Sequence, residues 1–278
     1  MEQAEQFRVT LAQFEVVRGE PAKNLEAIEG FADEARTARA DLLCLPEMCT
    51  TGFQWRRNRE LLPTTGDTLA SVGEMARGRG IAIAGSFLEA LGDGRMANTL
   101  HLFDASGAVI LRYPKIHCFT VFGEDRHIDP GTKVASGELK GRVIGASICY
   151  DLRFPELYRA LMSRGVAIQL VPSAFPHPRL AHWRHLLRAR AIENQMFVVA
   201  TNQCGREGIG GRAGEVRYLG HSSVIDPWGE TLFEADEKPC AHTVDLDFRE
   251  VAAAREKMPA LADRRSDLFS LGAETDDA

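Results

Sequence analysis

RVIGASICYDLRFPELYRALMSRGVAIQLV, residues Arg142 to Val171, is the stretch that decides the fold. It opens on small and branched apolar residues (Val143, Ile144, Ala146, Ile148), the composition of a strand buried on both faces. The run breaks at Cys149-Tyr150-Asp151 and passes through Pro155 into a segment whose apolar residues, Leu157, Tyr158, Leu161 and Met162, recur at helical spacing. Pro155 falls in the first turn of that helix, where a missing N–H is harmless. Gly165 ends the helix, and Val166 to Val171 reads as a second buried strand. Cys149 therefore sits between a strand and a helix start, where N–H groups and the helix dipole favour a thiolate. The competing reading is a small core hydrophobe, since free cysteine is among the most buried residue types.

The rest of the chain repeats this alternation. Phe7 to Phe14 reads as a strand, Ala22 to Ala38 as an amphipathic helix with Leu25, Ile28, Ala32 and Ala35 on one face, and Asp41 to Leu45 as a strand stopped by Pro46. Leu69, Val72 and Met75 or Ala76 mark a helix that ends near Gly78 and Gly80, and Ile81 to Leu88 is again a buried strand. Asn98 to Phe103 and Ala108 to Tyr113 form a hairpin around Asp104-Ala105-Ser106-Gly107; a second runs from His221 to Phe233, turning at Asp226-Pro227-Trp228-Gly229. Between them Trp183, Leu186, Leu187 and Ala191 mark a helix and Phe197 to Thr201 a strand. Gly205 to Gly220, rich in glycine and charge, reads as a mobile surface loop. The pattern is that of a layered α/β protein. Residues 7–271 read as a single domain, with residues 1–6 and 272–278 as flexible termini.

Composition narrows the function. The chain has 278 residues and a formal net charge of −6, with acids and bases interspersed, so neither nucleic acid nor an anionic membrane is an expected partner. Apolar runs are of strand length, too short for a bilayer, and MEQAEQFRVT carries acids where a signal peptide carries bases. Six cysteines (Cys44, Cys49, Cys118, Cys149, Cys204, Cys240) follow no disulfide-like spacing, and reduced thiols in the cytoplasm are the simplest account.

Three reactive side chains follow apolar strands: Glu47 after LLCLP, Lys115 after ILRYP and Cys149 after VIGASI. Each charge taken alone could be a solvated loop residue, which is where Glu and Lys normally lie. Together the three types make a chemical set for an amide or nitrile carbon. The Cys149 thiolate attacks, Glu47 accepts the thiol proton and returns it to the departing nitrogen, and Lys115 faces the developing oxyanion. The remaining thioester is released by water that Glu47 activates.

The motifs that hold these residues, LCLPE, YPKIHCF and CYDLRFPELYR, resemble the three signatures of the nitrilase-like carbon–nitrogen hydrolase superfamily. HWRHLLRARAIENQMFVVATNQCG, GHSSVIDPWGE and KMPALADRRSDLF also resemble that family, in order and at suitable spacing, so the similarity runs from about Phe7 to Leu271. The resemblance implies a four-layer αββα sandwich and a Glu–Lys–Cys triad that falls on Glu47, Lys115 and Cys149. It implies a second glutamate holding the lysine, for which Glu124 in VFGEDRH is the match. It implies a homodimer as well, paired through the helix after the cysteine and a neighbouring helix into an eight-layer assembly. Tyr150 and Arg153 in the cysteine motif, with Phe175 and His177 in PSAFPHP, are the residues expected to line the substrate pocket. CYDLRFPE most resembles the omega-amidase branch, whose members act on amides of short dicarboxylates. A cation for the far carboxylate would come from Arg153, Arg126 or Arg179.

Other readings compete at individual residues. His182 and His185 stand three apart on a helix, after His177, but no glutamate lies between them as a zinc-peptidase motif requires, so a solvated helix face is simpler. Cys44 and Cys49 flank Glu47 too widely for a redox pair and read as core. A Cys–His hydrolase would need His117 to reach Cys149 with a third group orienting it. Arg153 could instead pair with Glu156. No metal or cofactor is called for. The expected activity is hydrolysis of a small amide to acid and ammonia; a nitrilase or carbamoyl-amine hydrolase would use the same triad, and a catalytically silent scaffold would keep only the fold.

Overall fold

Two six-stranded mixed sheets face each other, with helices on both outer surfaces. The computed structural model describes residues 6–210, 213–265 and 267–268. The first sheet has the order β14 (Cys240–Asp247), β1 (Gln6–Gln13), β2 (Leu42–Cys44), β3 (Ala82–Gly92), β4 (Arg95–Phe103), β5 (Val109–Pro114). The second runs β13 (Thr231–Glu234), β12 (Ser223–Ile225), β9 (Phe197–Asn202), β8 (Ile168–Ser173), β7 (Arg142–Ala146), β6 (Ser136–Leu139). Each has a parallel centre, β1-β2-β3 and β7-β8-β9, flanked by antiparallel strands.

The pleat assigns the layers. In β2, Leu42 and Cys44 point into the seam between the sheets, while Leu43 points out. Val9, Leu11, Leu100 and Leu102 join the seam against Ile144, Ile168 and Leu170 of the second sheet. On the other side of the first sheet, Leu43, Ile83, Phe87 and Phe103 meet Ile28, Ala32 and Ala35 of α1 (Pro21–Thr37) and Val72 and Ala76 of α3 (Thr65–Arg79). The second sheet is covered by α4 (Pro155–Ser163), through Leu157, Tyr158 and Leu161, and by α5 (Leu180–Asn194), through Trp183, Leu187 and Ala191. The result is the αββα order expected from the sequence. A short α2 (Trp55–Leu61) follows β2, and α6 (Arg249–Lys257) follows β14.

Two expectations need amendment. Residues 205–220 are not simply a surface loop: β10 (Arg206–Gly210) and β11 (Gly214–Arg217) pair as an antiparallel hairpin with an irregularity between Gly208 and Gly210. Glycine and charge masked the strands, yet Glu207, Val216 and Tyr218 are buried and anchor them. Of the termini expected to be flexible, Gln6 begins β1, while residues 1–5 and 272–278 lie outside the described residues.

Candidate active site

Side chains emerging at the carboxyl ends of parallel strands collect at one end of a sheet, and here two such ends face each other. Glu47 lies three residues beyond β2, and its N–H reaches across to Ser173 O at the end of β8 (3.3 Å). Lys115 directly follows β5, its backbone tied to Asn98 O (2.8 Å) and to Gly131 N (2.8 Å). A Cβ on Gly131 would lie 2.1 Å from Pro114 O, so only glycine lets this backbone pass so close to the lysine segment. Cys149 opens a five-residue 3-10 turn, Cys149–Arg153, beyond β7.

The structure brings Glu47, Lys115, Glu124 and Cys149 together, all of them buried. Lys115 Nζ donates to Glu47 Oε1 and to Glu124 Oε2, both at 2.7 Å. Glu47 Oε2 accepts the Ala174 N–H (2.9 Å), and Glu124 Oε2 accepts the Phe119 N–H (2.6 Å). The Cys149 thiol lies close enough to Glu47, Lys115 and the Ala174 N–H for each to act on it electrostatically. A buried ammonium between two carboxylates stays charged: burial alone would lower the Lys115 pKa, but Glu124 and Glu47 push it well above its ordinary value. Glu124 is itself raised, by burial and by the charge of Glu47, against the pull of Lys115.

The thiolate expected from the sequence is not what this environment favours. Burial, then the charge of Glu47, pushes the Cys149 thiol well above its ordinary pKa, outweighing Lys115. The helix that was to supply the dipole starts later, at Pro155. Cys149 is thus a thiol beside a carboxylate that can take its proton. Its φ of +45° and that of Met48, next to Glu47, at +46°, are left-handed conformations that bulky residues rarely adopt.

Asp151 fastens this turn. It is fully buried, and it accepts Ile148 N (2.9 Å), Tyr113 Oη (2.8 Å) and His117 N (3.0 Å), with His117 Nδ1 at 2.7 Å. His117 therefore faces Asp151 and stacks on Phe154, with centroids 3.6 Å apart. Tyr150 packs between the rings of Phe119 and Phe154 (centroids 4.9 and 5.3 Å). The Arg153 guanidinium lies over the Phe175 ring (5.3 Å) and 3.4 Å from His182 Nδ1. Among the described residues it has no carboxylate partner, Glu156 included. Phe175 is buried against Trp183, while His177 lies 3.3 Å from Glu237 and shares none of the four central residues' contacts. Arg179 is engaged by His177 O, and Arg126 is exposed. His182 and His185 belong to no group of three or more metal-ligating side chains among the described residues. Burial pushes the Cys44 and Cys49 thiols up, as suits core residues.

Sequence reasoning missed Asn98 and Ser86. Asn98 Nδ2 donates to Glu47 Oε1 (2.8 Å) and to Glu124 Oε1 (3.1 Å), and Ser86 Oγ–H donates to Asn98 Oδ1. A signal was present: Asn98, Leu100 and Leu102 alternate on the seam side of β4, where an amide needs a polar reason to stand. Glu207 was also missed; it accepts Phe53 N (2.6 Å) and Tyr218 Oη (2.7 Å), and burial raises its pKa.

The carbon–nitrogen hydrolase family model matches residues 8–256, and the chain belongs to that family and hydrolyses carbon–nitrogen bonds. More particularly, it is 33% identical over 264 residues to a 2-oxoglutaramate amidase of Bacillus subtilis (strain 168), covering 95% of this chain and 99% of the relative. It is 38% identical to a 2-oxoglutaramate amidase of Paenarthrobacter nicotinovorans over 85% of this chain and 82% of that one. Among solved structures, a mutant amidase from Nesterenkonia sp. AN1, with the acetamide moiety of fluoroacetamide added covalently at its active site cysteine, superposes with a TM-score of 0.83. That pair shares 29% identity and covers 94% of this chain and 95% of the other. No described helix is long and apolar enough to cross a membrane.

Proposed function

We propose that the chain is an omega-amidase-like enzyme that hydrolyses the amide of a short dicarboxylate to acid and ammonia through a thioester on Cys149. The observation that carries this reading is the buried ammonium of Lys115 held between Glu47 and Glu124, with the Cys149 thiol near enough to feel the charges of Glu47 and Lys115. Glu47 takes the thiol proton as sulfur attacks the amide carbon, forming the C–S bond. The oxyanion develops against the Lys115 ammonium and the N–H of Tyr150, and removing one such donor typically costs about 2.7–4 kcal/mol of transition-state stabilisation. Glu47 passes its proton to the nitrogen, the C–N bond breaks and ammonia leaves. Water, deprotonated by Glu47, then attacks the thioester and returns the thiol. Glu124 holds the lysine. No step requires a metal or cofactor.

The two 2-oxoglutaramate amidases among the relatives support a dicarboxylate substrate, and the covalent adduct in the Nesterenkonia amidase supports a cysteine nucleophile. Arg153, half-buried over Phe175 and without a carboxylate partner, is our choice for the far carboxylate, with Tyr150, Phe175 and His177 as the other pocket residues. We place the reaction in the cytoplasm, where free thiols such as those of all six cysteines persist, and pair two copies of the chain through α4 and α5, near exposed Ile192.

The test is ammonia release from a panel of dicarboxylate monoamides, simple amides, nitriles and carbamoyl amines. Dicarboxylate monoamides should give the highest kcat/KM, Cys149→Ala should abolish turnover, and Arg153→Leu should raise KM for monoamides bearing a second carboxylate but not for simple amides. Turnover by Cys149→Ala near wild type overturns the mechanism; preference for nitriles or carbamoyl amines overturns the substrate.

A further inference from the structure

The four central residues carry two negative charges against one positive, all out of water. Two buried carboxylates joined by one lysine would ordinarily hold a proton between them, because desolvation and mutual repulsion both favour the neutral acid. A protonated Glu47 could not receive the hydrogen of Cys149. The side chains facing Glu47 are Lys115 from the end of β5, Glu124 from the following 3-10 turn, and Cys149 from the second sheet. Glu207 and Tyr218 of the β10–β11 region act on it from farther away. Lys115 is the only cation among these, and both carboxylates share it.

Asn98 is the other donor common to both carboxylates. Its amide nitrogen has two hydrogens, and Glu47 Oε1 and Glu124 Oε1 stand 2.8 and 3.1 Å away, one for each. The orientation of the amide is fixed from behind. Met48 N donates to Ser86 Oγ (3.1 Å), so the hydroxyl hydrogen is left for Asn98 Oδ1. With its oxygen so engaged, Asn98 can present only N–H groups to the carboxylates. A donor directed at an ionised carboxylate stabilises that form against the protonated one.

We propose that Asn98, oriented by Ser86, is a positioning residue that holds the Glu47 carboxylate ready to accept the Cys149 proton. Its side-chain hydrogen bonds go to Glu47, Glu124 and Ser86, and it acts through Glu47. The inference rests on the reading of Glu47 as the general base, and the experiment separates the two. Two profiles are recorded from pH 4 to 9 for the full-length wild type, Asn98→Leu and Ser86→Ala: kcat/KM for an amide, and the rate at which iodoacetamide alkylates Cys149, read by peptide mass. Alkylation needs no turnover.

The expected result is an acid limb displaced upward by about one pH unit or more in Asn98→Leu, the loss of one charge-assisted hydrogen bond. Ser86→Ala, which frees the amide to rotate, should show a smaller displacement in the same direction. A structural role alone would lower the melting midpoint and amplitude while leaving the limb where it is in wild type. That outcome overturns the inference, as does a limb displaced downward. Should Asn98→Leu fail to fold, the Ser86→Ala limb decides by the same criterion. If wild type releases no ammonia from any amide but its alkylation limb moves in the variants, the proposed substrate falls and the role of Asn98 stands. If both limbs are absent in wild type, the general-base reading falls and takes this inference with it.

Discussion

Tyr113 Oη donates to Asp151 Oδ2 across 2.8 Å, so the strand that delivers the lysine and the turn that delivers the sulfur end on one buried carboxylate. His117 N and Ile148 N use the same group from either side. Asp151→Asn keeps the shape but replaces one acceptor oxygen by a donor, which then faces an N–H or O–H. We expect a loss of about 1–3 kcal/mol for each donor left unpaired, measured by urea unfolding, with a fall in kcat larger than the change in KM. A variant as stable and as fast as wild type would show that the shared carboxylate is incidental.

Lys115 is the cation that stands between the charges of Glu47 and Glu124 in direct contact with both. Lys115→Met should abolish turnover and cost about 3–5 kcal/mol, because it leaves buried carboxylates without their cation. Adding Glu124→Gln to Lys115→Met should restore part of the stability and none of the activity. Equal midpoints for the single and double variants in urea titrations would contradict this.

Cys149 holds a φ of +45°, a conformation that costs a residue with a Cβ about 1–2 kcal/mol and glycine almost nothing. Both Cys149→Ala and Cys149→Gly remove the nucleophile, but the glycine variant should unfold at the higher denaturant midpoint. An alanine variant as stable as the glycine variant would mean that the turn relaxes when the sulfur is absent.

Glu89, at the far side of the first sheet, gives a pH signature separate from the chemistry. Burial pushes its carboxyl up, but His101 at 3.7 Å and the Arg112 guanidinium, which donates to both oxygens at 2.8 and 3.1 Å, prevail and carry it down to about 2. A carboxylate depressed in the folded state contributes stability above its unfolded pKa, near 4.5, and loses it as pH falls toward about 2. Glu89→Gln should therefore be less stable than wild type at pH 7 by about 1–2 kcal/mol, allowing for solvent screening, and the gap should close between those two values. Urea midpoints at pH 7, 4 and 2.5 measure it; a gap that widens on acidification reverses the sign and defeats the assignment.

A layered α/β protein is legible in strand-length apolar runs that alternate with helical periodicity, while the four-layer sandwich is what the resemblance of LCLPE, YPKIHCF and CYDLRFPELYR to the family signatures implies; Pro46 and Pro114 mark the places where Glu47 and Lys115 leave their strands. Asn98 was hidden for the opposite reason. It begins a segment whose alternation reads as an ordinary strand, and only the opposing carboxylates, distant in sequence, give its amide a purpose. Strand–turn–helix order suggests a helix dipole at the Cys149 sulfur, whereas burial pushes the thiol pKa up and a 3-10 turn intervenes before the helix. The hairpin β10–β11 escaped because its strands are short and glycine-rich, and the residues that anchor it, Glu207 and Tyr218, find their partners in Phe53 and in each other.

Base, lysine and Asn98 belong to one sheet; sulfur and the Ala174 N–H belong to the other. The reactive geometry is therefore a measurement of how the two halves of the sandwich sit against each other. A methyl group removed from the seam at Leu100 or Ile168 would let the halves slide and separate proton donor from acceptor. Turnover would then report slippage of the layers while the fold, seen by circular dichroism, still looked whole.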